Sequence, residues 1–559
     1  MVFSFMDLSY TLYYIRYTKY DIRNTTYEIR HTKKGRLMET KHKIAKYAGI
    51  VIIATIFCRI LGLGREIVIS NRFGAGIETD AFFIAFMIPN LLRSFLGEGA
   101  LNSAFIPIFT EYLTNHDRKK AEYFASNVLN ILIIILIIVI ILGIWGAPLL
   151  INIIAIGFKS NMYKYQLAIN LTRIMFPYIG FVAVAAFFMG ILNSYNHFLM
   201  PALAPAMLNI SIIIFAFTLN FKYGIFSLAL GVIVGGIGQA LVQIPVLIRK
   251  RIKYTFVIDL NDPGVKKILK LLIPAMIGLS ISQINVVVDR AIASNLIDGS
   301  ISALYYSNRL VQFPLGAFGI AISIAIFPTL SKYIAKSNIP EFKKSLLFGL
   351  KMLLFITVPS AVGLIVLKDS LIRLIYEHGI FSKVATNMTA SALLYYSIGL
   401  FAYACVRLIT MSFYALKDTK TPVKIGIYIV FINIALDLIL VRYLAHSGLA
   451  LATSVSAILN LIILLKVLQD KIGDIELKSQ ASFLIKIIIS SIFLGIICVL
   501  VGNYFGKVLD LNYKYNQIIQ VTASIFSGGL VYFIISYILG VKEVRNLKQS
   551  IKEILRSRE

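Results

Sequence analysis

Four arginines sit in stretches apolar enough to cross a bilayer. Arg59 and Arg65 lie in GIVIIATIFCRILGLGREIVIS (49–70), Arg93 in DAFFIAFMIPNLLRSFLG (80–97) and Arg309 in YYSNRLVQFPLGAFGIAIS (305–323). An arginine near the bilayer centre costs about 2.5–3.5 kcal/mol on the mildest insertion scales, so something must offset it. Arg59 lies about 12 residues into its helix, roughly 18 Å of rise and close to the midplane. Guanidinium forks match phosphate oxygens bidentately, which makes an anionic, phosphate-bearing cargo the chemistry that best accounts for four of them in a shared watery cavity. Three acids accompany them, Glu66, Asp80 and Glu98. Local pairing of Arg65 with Glu66 or Asp80, and of Arg93 with Glu98, is the other reading for part of the set. Arg407 lies in a later span.

A second group of oxygens suits a hard cation. Asp437 follows Asn433 by one turn on the same helix face, Asp289 sits in INVVVDRAIAS (284–294), and Thr453 lies in the next helix after Asp437. Pairing of Asp289 with Arg290, and of Asp437 with Arg442, is the competing account. Nothing resembles a catalytic constellation. The six histidines are scattered without metal-ligand spacing, and no Gly-rich loop ends in Lys-Ser/Thr, so the chain reads as a protein that is not an enzyme. Cys58, Cys405 and Cys498 all fall inside spans and read as small packing residues.

The elements that must carry these groups are long apolar helices. Hydrophobic residues make up 58% of the 559, charged residues 15%, and the mean hydropathy is +0.81, which excludes an ordinary soluble domain. Fourteen spans are expected, centred near 58, 92, 138, 180, 210, 236, 281, 318, 356, 400, 432, 457, 492 and 528. The net charge of +28 does not indicate nucleic acid, because the basic runs fall in alternate loops: DRKK (117–120), RKRIK (249–253), KK (266–267), KYIAKSNIPEFKK (332–344) and LKDTKTPVK (416–424). That asymmetry places those loops and both termini in the cytoplasm.

An internal repeat organises the spans. FIPIFTEY (105–112) matches IFPTLSKY (326–333) and LNSYNHFLMP (192–201) matches FYALKDTKTP (413–422), both with prolines 221 residues apart; ISN (69–71) matches ASN (293–295) at 224. The repeat spans six helices, so both copies cross the membrane in the same sense, an arrangement of transporters that rock between two open states. The expected divisions are an N-terminal extension (1–44) without stable structure, an N-lobe (45–250), a linker (251–263), a C-lobe (264–470), a C-terminal helix pair (482–540) and a basic tail (541–559). The extension carries a seven-residue repeat at Tyr13, Tyr20 and Tyr27, and Met38 is an alternative start.

FCRILGLGREIVISNRFGAGIETDAFFIAFMIPNLLRSFLGEGALNSAFIPIFTEY (57–112) resembles the signature region of the MurJ (MviN) lipid II flippases, within the multidrug/oligosaccharidyl-lipid/polysaccharide exporter superfamily. The similarity continues through 192–211, 305–323 and 413–425, covering about 45–540 in order. It implies an all-α polytopic membrane protein with a MATE-like pair of parallel six-helix lobes and a C-terminal pair forming a groove for a lipid tail. It also implies flipping of lipid II, the undecaprenyl-pyrophosphate-linked peptidoglycan precursor, by alternating access in a bacterial inner membrane, with membrane lipids and the cell-wall synthesis machinery as further partners. Arg59, Arg65, Arg93 and Arg309 match the family's cavity arginines, and Glu66, Asp80 and Glu98 match acidic positions important in it. Some relatives bind sodium; the matching positions are Asp289, Asn433, Asp437 and Thr453, with Leu449 at the backbone-carbonyl position. Asn308 and Gln312 flank Arg309 where some relatives carry acids, which leaves this cavity more positive. A flippase for another lipid-linked oligosaccharide, or a drug/cation antiporter, is the alternative within the superfamily.

Overall fold

A computed structural model of the chain describes residues 32–93 and 100–541; within these, side chains at 32–48, 50, 52, 100–103, 273–282 and 477–478 are not described. The described residues form helices joined by turns and loops, without a strand. They fall into two compact units that divide between Asn295 and Leu296. The first holds α1 (Thr32–Phe73), α2 (Ile77–Arg93), α3 (Ala100–Asn115), α4 (Arg118–Trp145), α5 (Ala147–Ile154), α6 (Met162–Met175), α7 (Tyr178–Ser194), α8 (Leu199–Thr218), α9 (Asn220–Tyr223), α10 (Phe226–Leu241), α11 (Ile244–Arg249) and α12 (Pro263–Ala293). The second holds α13 (Ser300–Pro314), α14 (Ile320–Ala335), α15 (Ile339–Val366), α16 (Lys368–Ile375), α17 (Lys383–Ile398), α18 (Leu400–Ala415), α19 (Lys420–Leu444), α20 (His446–Ile472), α21 (Ala481–Val508) and α22 (Lys514–Ile538). α12 packs against α3 and belongs to the first unit, although the sequence repeat counts it at the start of the second copy.

Ten helical runs among the described residues are long and apolar enough to span a bilayer, and the bent pair α17–α18 makes an eleventh. The remaining spans expected near 58, 92 and 281 run through positions that lie outside the described residues or side chains. Exposure shows how such a helix meets lipid. On α4, Ile131, Leu132, Leu136 and Gly143 face inward, whereas Ile134, Ile137, Ile138, Ile141 and Leu142 are exposed. An exposed surface this apolar is stable only against hydrocarbon.

Lipid gives little hydrophobic drive for one helix to seek another, so close packing must supply it. Small residues do this here. A Cβ on Gly231 would lie 2.9 Å from the Cα of Ile212, and one on Gly235 would lie 2.7 Å from that of Leu208, so α10 presses directly on the α8 backbone. In the second unit Gly448 of α20 approaches α19 so closely that a Cβ would meet the Leu440 carbonyl oxygen at 2.4 Å. α15, α21 and α22 share a core of Phe355, Phe483, Ile487, Leu494 and Tyr532, tied by a 2.6 Å bond from the Tyr532 hydroxyl to the Phe355 carbonyl.

The two units keep one frame. α4 and α15 each span 28 residues and α5 and α16 each span 8, both pairs starting and ending 221 positions apart. The N-cap side chains Asn161 and Ser382 accept from the amides of Lys164 and Ala385, again at that spacing. Left-handed residues recur likewise: Asn196 (φ 58°) with Lys417 (φ 64°), and Gly224 (φ 52°) with Ala445 (φ 49°). The means of breaking the helix differ: Pro177 precedes α7, while Gly399, pressed against Ser454, separates α17 from α18 at a 43° bend. Earlier in the repeat, at the 224 spacing, Ser70 and Ser294 each bond the carbonyl three residues back, those of Ile67 and Ala291.

Candidate functional site

α1 runs unbroken through Gly62 and Gly64, so Arg59 and Arg65 stand on one continuous helix. α8 braces it: Asn209 donates to the Cys58 carbonyl at 3.2 Å, one residue before Arg59. Arg59 is exposed, while Arg65 and Glu66 are buried and paired with each other, Nη2 to Oε1. The adjacent carboxylate offsets the desolvation of the Arg65 charge, a pairing that favours charge burial only when both partners are present.

Asp80 lies in the first turn of α2 and is 1% exposed. Its partner is Lys164 of α6, Nζ to Oδ2 at 2.8 Å, and the ammonium also stands 4.5 Å from the centre of the Phe158 ring. The sequence reading did not single out Lys164, because 84 residues separate the pair. Arg93 lies on α2 and is 4% exposed. Glu98, and with it the Arg93–Glu98 pairing weighed from the sequence, lies outside the described residues.

In the second unit Arg309 is half-buried on α13 and folds back one turn, donating to the Tyr305 hydroxyl at 2.9 Å with its guanidinium 4.9 Å from that ring's centre. This contact orients the fork along the helix face. Asn433 and Asp437 are fully buried on α19, and the Asn433 amide nitrogen donates to Asp437 Oδ2 at 2.7 Å. The nitrogen so placed makes the amide oxygen the atom Asn433 offers to a cation. On α20 the Thr453 hydroxyl donates to the Leu449 carbonyl at 2.9 Å, keeping two oxygens side by side. The Gly448–Leu440 approach fixes the register of this antiparallel pair and sets Thr453 at a height between Asn433 and Asp437. The donor set is all oxygen, as a hard cation requires. Asp289, half-buried on α12, belongs to the first unit. Among the described residues no three His, Cys, Asp or Glu side chains cluster as a metal site would need.

The family model for "Lipid II flippase MurJ" matches residues 69–517. A probable lipid II flippase MurJ of Buchnera aphidicola (from Acyrthosiphon pisum) is 35% identical over 495 residues, covering 88% of this chain and 96% of its own. One of Vibrio cholerae is 37% identical over 427 residues, covering 75% and 81%. Among solved structures, a lipid II flippase MurJ in an inward closed conformation superposes with a TM-score of 0.74 at 34% identity, over 88% of this chain and 99% of that one. An inward-facing MATE family multidrug transporter shares the fold alone, with a TM-score of 0.60 at 16% identity, over 77% and 99%.

Proposed function

The chain belongs to the lipid II flippase MurJ family, transporters of a bacterial inner membrane that catalyse no chemical reaction, and from that premise we propose how it moves its cargo. It flips lipid II; the match to the family model over 69–517 carries that conclusion. The mechanism is alternating access by fourteen spans, two parallel six-helix repeats and a C-terminal pair, with both termini cytoplasmic. The recurrence of helix ends and left-handed residues at one spacing supports the repeat. The alternate basic loops support the orientation.

Arg59, Arg65, Arg93 and Arg309 bind the pyrophosphate, with Glu66, Asp80 and Glu98 holding the arginines or the helices that carry them. Burial of Arg65 and Arg93 supports this, since a low-dielectric setting strengthens each bond to an anion. A sodium ion, supported by the oxygen set of Asn433, Asp437, Thr453 and the Leu449 carbonyl with Asp289 as further carboxylate, would supply a gradient that resets the carrier. Protein side chains do the rest: guanidinium groups replace the water lost by the pyrophosphate, and the paired acids keep them from collapsing when it leaves.

The test is complementation of a strain depleted of its own lipid II flippase, comparing wild type with Arg93→Ala and Arg309→Ala at matched expression. Rescue by wild type alone is expected. Rescue by both variants would overturn the arginine assignment and leave flipping intact.

A further inference from the structure

Between α11 and α12 the chain crosses residues 252–262 without helix, yet side chains of α4 hold it in place. The Thr255 amide donates to Ser126 Oγ at 3.1 Å, and Asn130 Nδ2 donates to the Val257 carbonyl at 2.9 Å. Asn127 grips Asp259 twice, accepting from its amide at 2.7 Å and donating to its carbonyl at 2.8 Å. Ser126, Asn127 and Asn130 are all buried, so this is a built seat and not a passing contact. The seat uses the backbone of alternate residues, as one edge of a strand would be used.

The intervening residues are exposed; three are large and apolar, and the fourth, Tyr254, returns its hydroxyl to the seat, donating to Asn130 Oδ1 at 2.7 Å. Tyr254, Phe256, Ile258 and Leu260 are 60%, 77%, 47% and 62% exposed. Exposed basic groups flank them: Arg249, Lys250, Arg251 and Lys253 before, Lys266, Lys267 and Lys270 after. Asp259 and Asp262 are the acids between, and each spends its carboxylate on local amides, those of Asn261 and of Gly264 and Val265. The height of the strap is fixed by its seat. Asn130 stands one turn, about 6 Å, before Ile134, where the lipid-facing stripe of α4 begins.

We propose that residues 252–262 form an interfacial strap that docks on the anionic phospholipid headgroups of the adjoining leaflet, its apolar edge sunk at the hydrocarbon boundary and its flanking cations on the phosphates. Aromatic side chains favour that depth, and Lys/Arg clusters beside a spanning helix are attracted to anionic lipid. The strap would hold the start of α12 at a constant depth in the bilayer, since Asp262 caps that helix. The alternative occupant of an extended edge is a strand from another protein; the basic groups at both ends and the level of the seat favour lipid.

The chain has one tryptophan, Trp145, which makes a clean test possible. Full-length Trp145→Phe carrying Phe256→Trp as reporter, with Ile258→Trp as a second position, is reconstituted into phosphatidylcholine vesicles with or without phosphatidylglycerol, using acyl-brominated lipid as quencher. Expected are bromolipid quenching and protection from acrylamide, about twofold stronger with the anionic lipid and reduced when Arg249, Arg251 and Lys253 are changed to Gln. Free acrylamide quenching without bromolipid quenching would overturn the proposal, as would quenching indifferent to lipid charge. Shielding seen in native membranes but absent from vesicles of the purified protein would assign the edge to a protein partner instead. None of these readouts depends on the cargo.

Discussion

Lys164 has no cheap substitute. Removing its ammonium leaves Asp80 charged and 1% exposed, and breaking a buried pair from one side costs about 3–5 kcal/mol. Lys164→Met is therefore expected to lower the thermal midpoint sharply, and adding Asp80→Asn should restore most of it; a double variant no better than the single would refute the pairing. Arg65 and Glu66 were legible as a pair because they are neighbours in the chain, whereas the Asp80 partner required the fold. A second residue pair tests pH. His197 and Lys250 occupy the positions that Asp418 and Lys471 occupy 221 residues on, and the second pair is an ion pair. Burial, then the Lys250 charge, holds the His197 pKa below its ordinary 6.5. A base whose folded pKa is depressed binds fewer protons folded than unfolded, so stability is full above pH 6.5 and declines as pH falls from there toward the folded value. Burial raises the Asp418 carboxyl, but the Lys471 ammonium and the Thr421 hydroxyl and amide outweigh it and hold it well below the usual carboxylate range. Its contribution is complete above about pH 4 and is lost only as pH drops through that lower folded value. Between pH 7.5 and 5.5 the wild type should lose thermal stability and His197→Gln should lose less.

At the scale of elements, the α19–α20 hairpin turns on two residues. Ala445 sits at φ 49° and ψ −133°, a conformation glycine adopts readily and alanine does not. Its counterpart in the first unit is Gly224. Ala445→Gly should stabilise by about 1 kcal/mol, seen as a higher midpoint, whereas Gly448→Val must push α20 off the Leu440 carbonyl and should cost several kcal/mol. Because Asn433 and Asp437 face the register that Gly448 sets, the second change should also weaken any stabilisation by sodium. An unchanged midpoint in Gly448→Val would mean that the helices do not pack through this glycine. The sequence pattern located both helices by their apolar length but could not show this closeness, which depends on a glycine indistinguishable by hydropathy from those that touch nothing, such as Gly426.

For the whole molecule, the sequence exposes much because lipid allows few backbone solutions: a span must be a helix, and about 20 apolar residues announce it. Eleven spans are found among the described residues on that criterion, and the repeat could be read from prolines that hold the frame at 221. The unit boundary at Asn295 was not legible, since α12 resembles its sequence counterpart and yet packs with α3. Orientation can be checked directly: Lys119→Cys should react with an impermeant maleimide only from the cytoplasmic face and Lys159→Cys only from the other, and the opposite pattern would invert the topology. Finally, the unbroken spacing has a historical meaning. From Asp117 to Gly224 in one copy, and Asn338 to Ala445 in the other, no residue has been gained or lost between ancient twins. Their divergence lies in side chains and in where each breaks its helices, not in the count of residues between matched turns, so this stretch records a gene duplication in which exchange was tolerated and insertion was not.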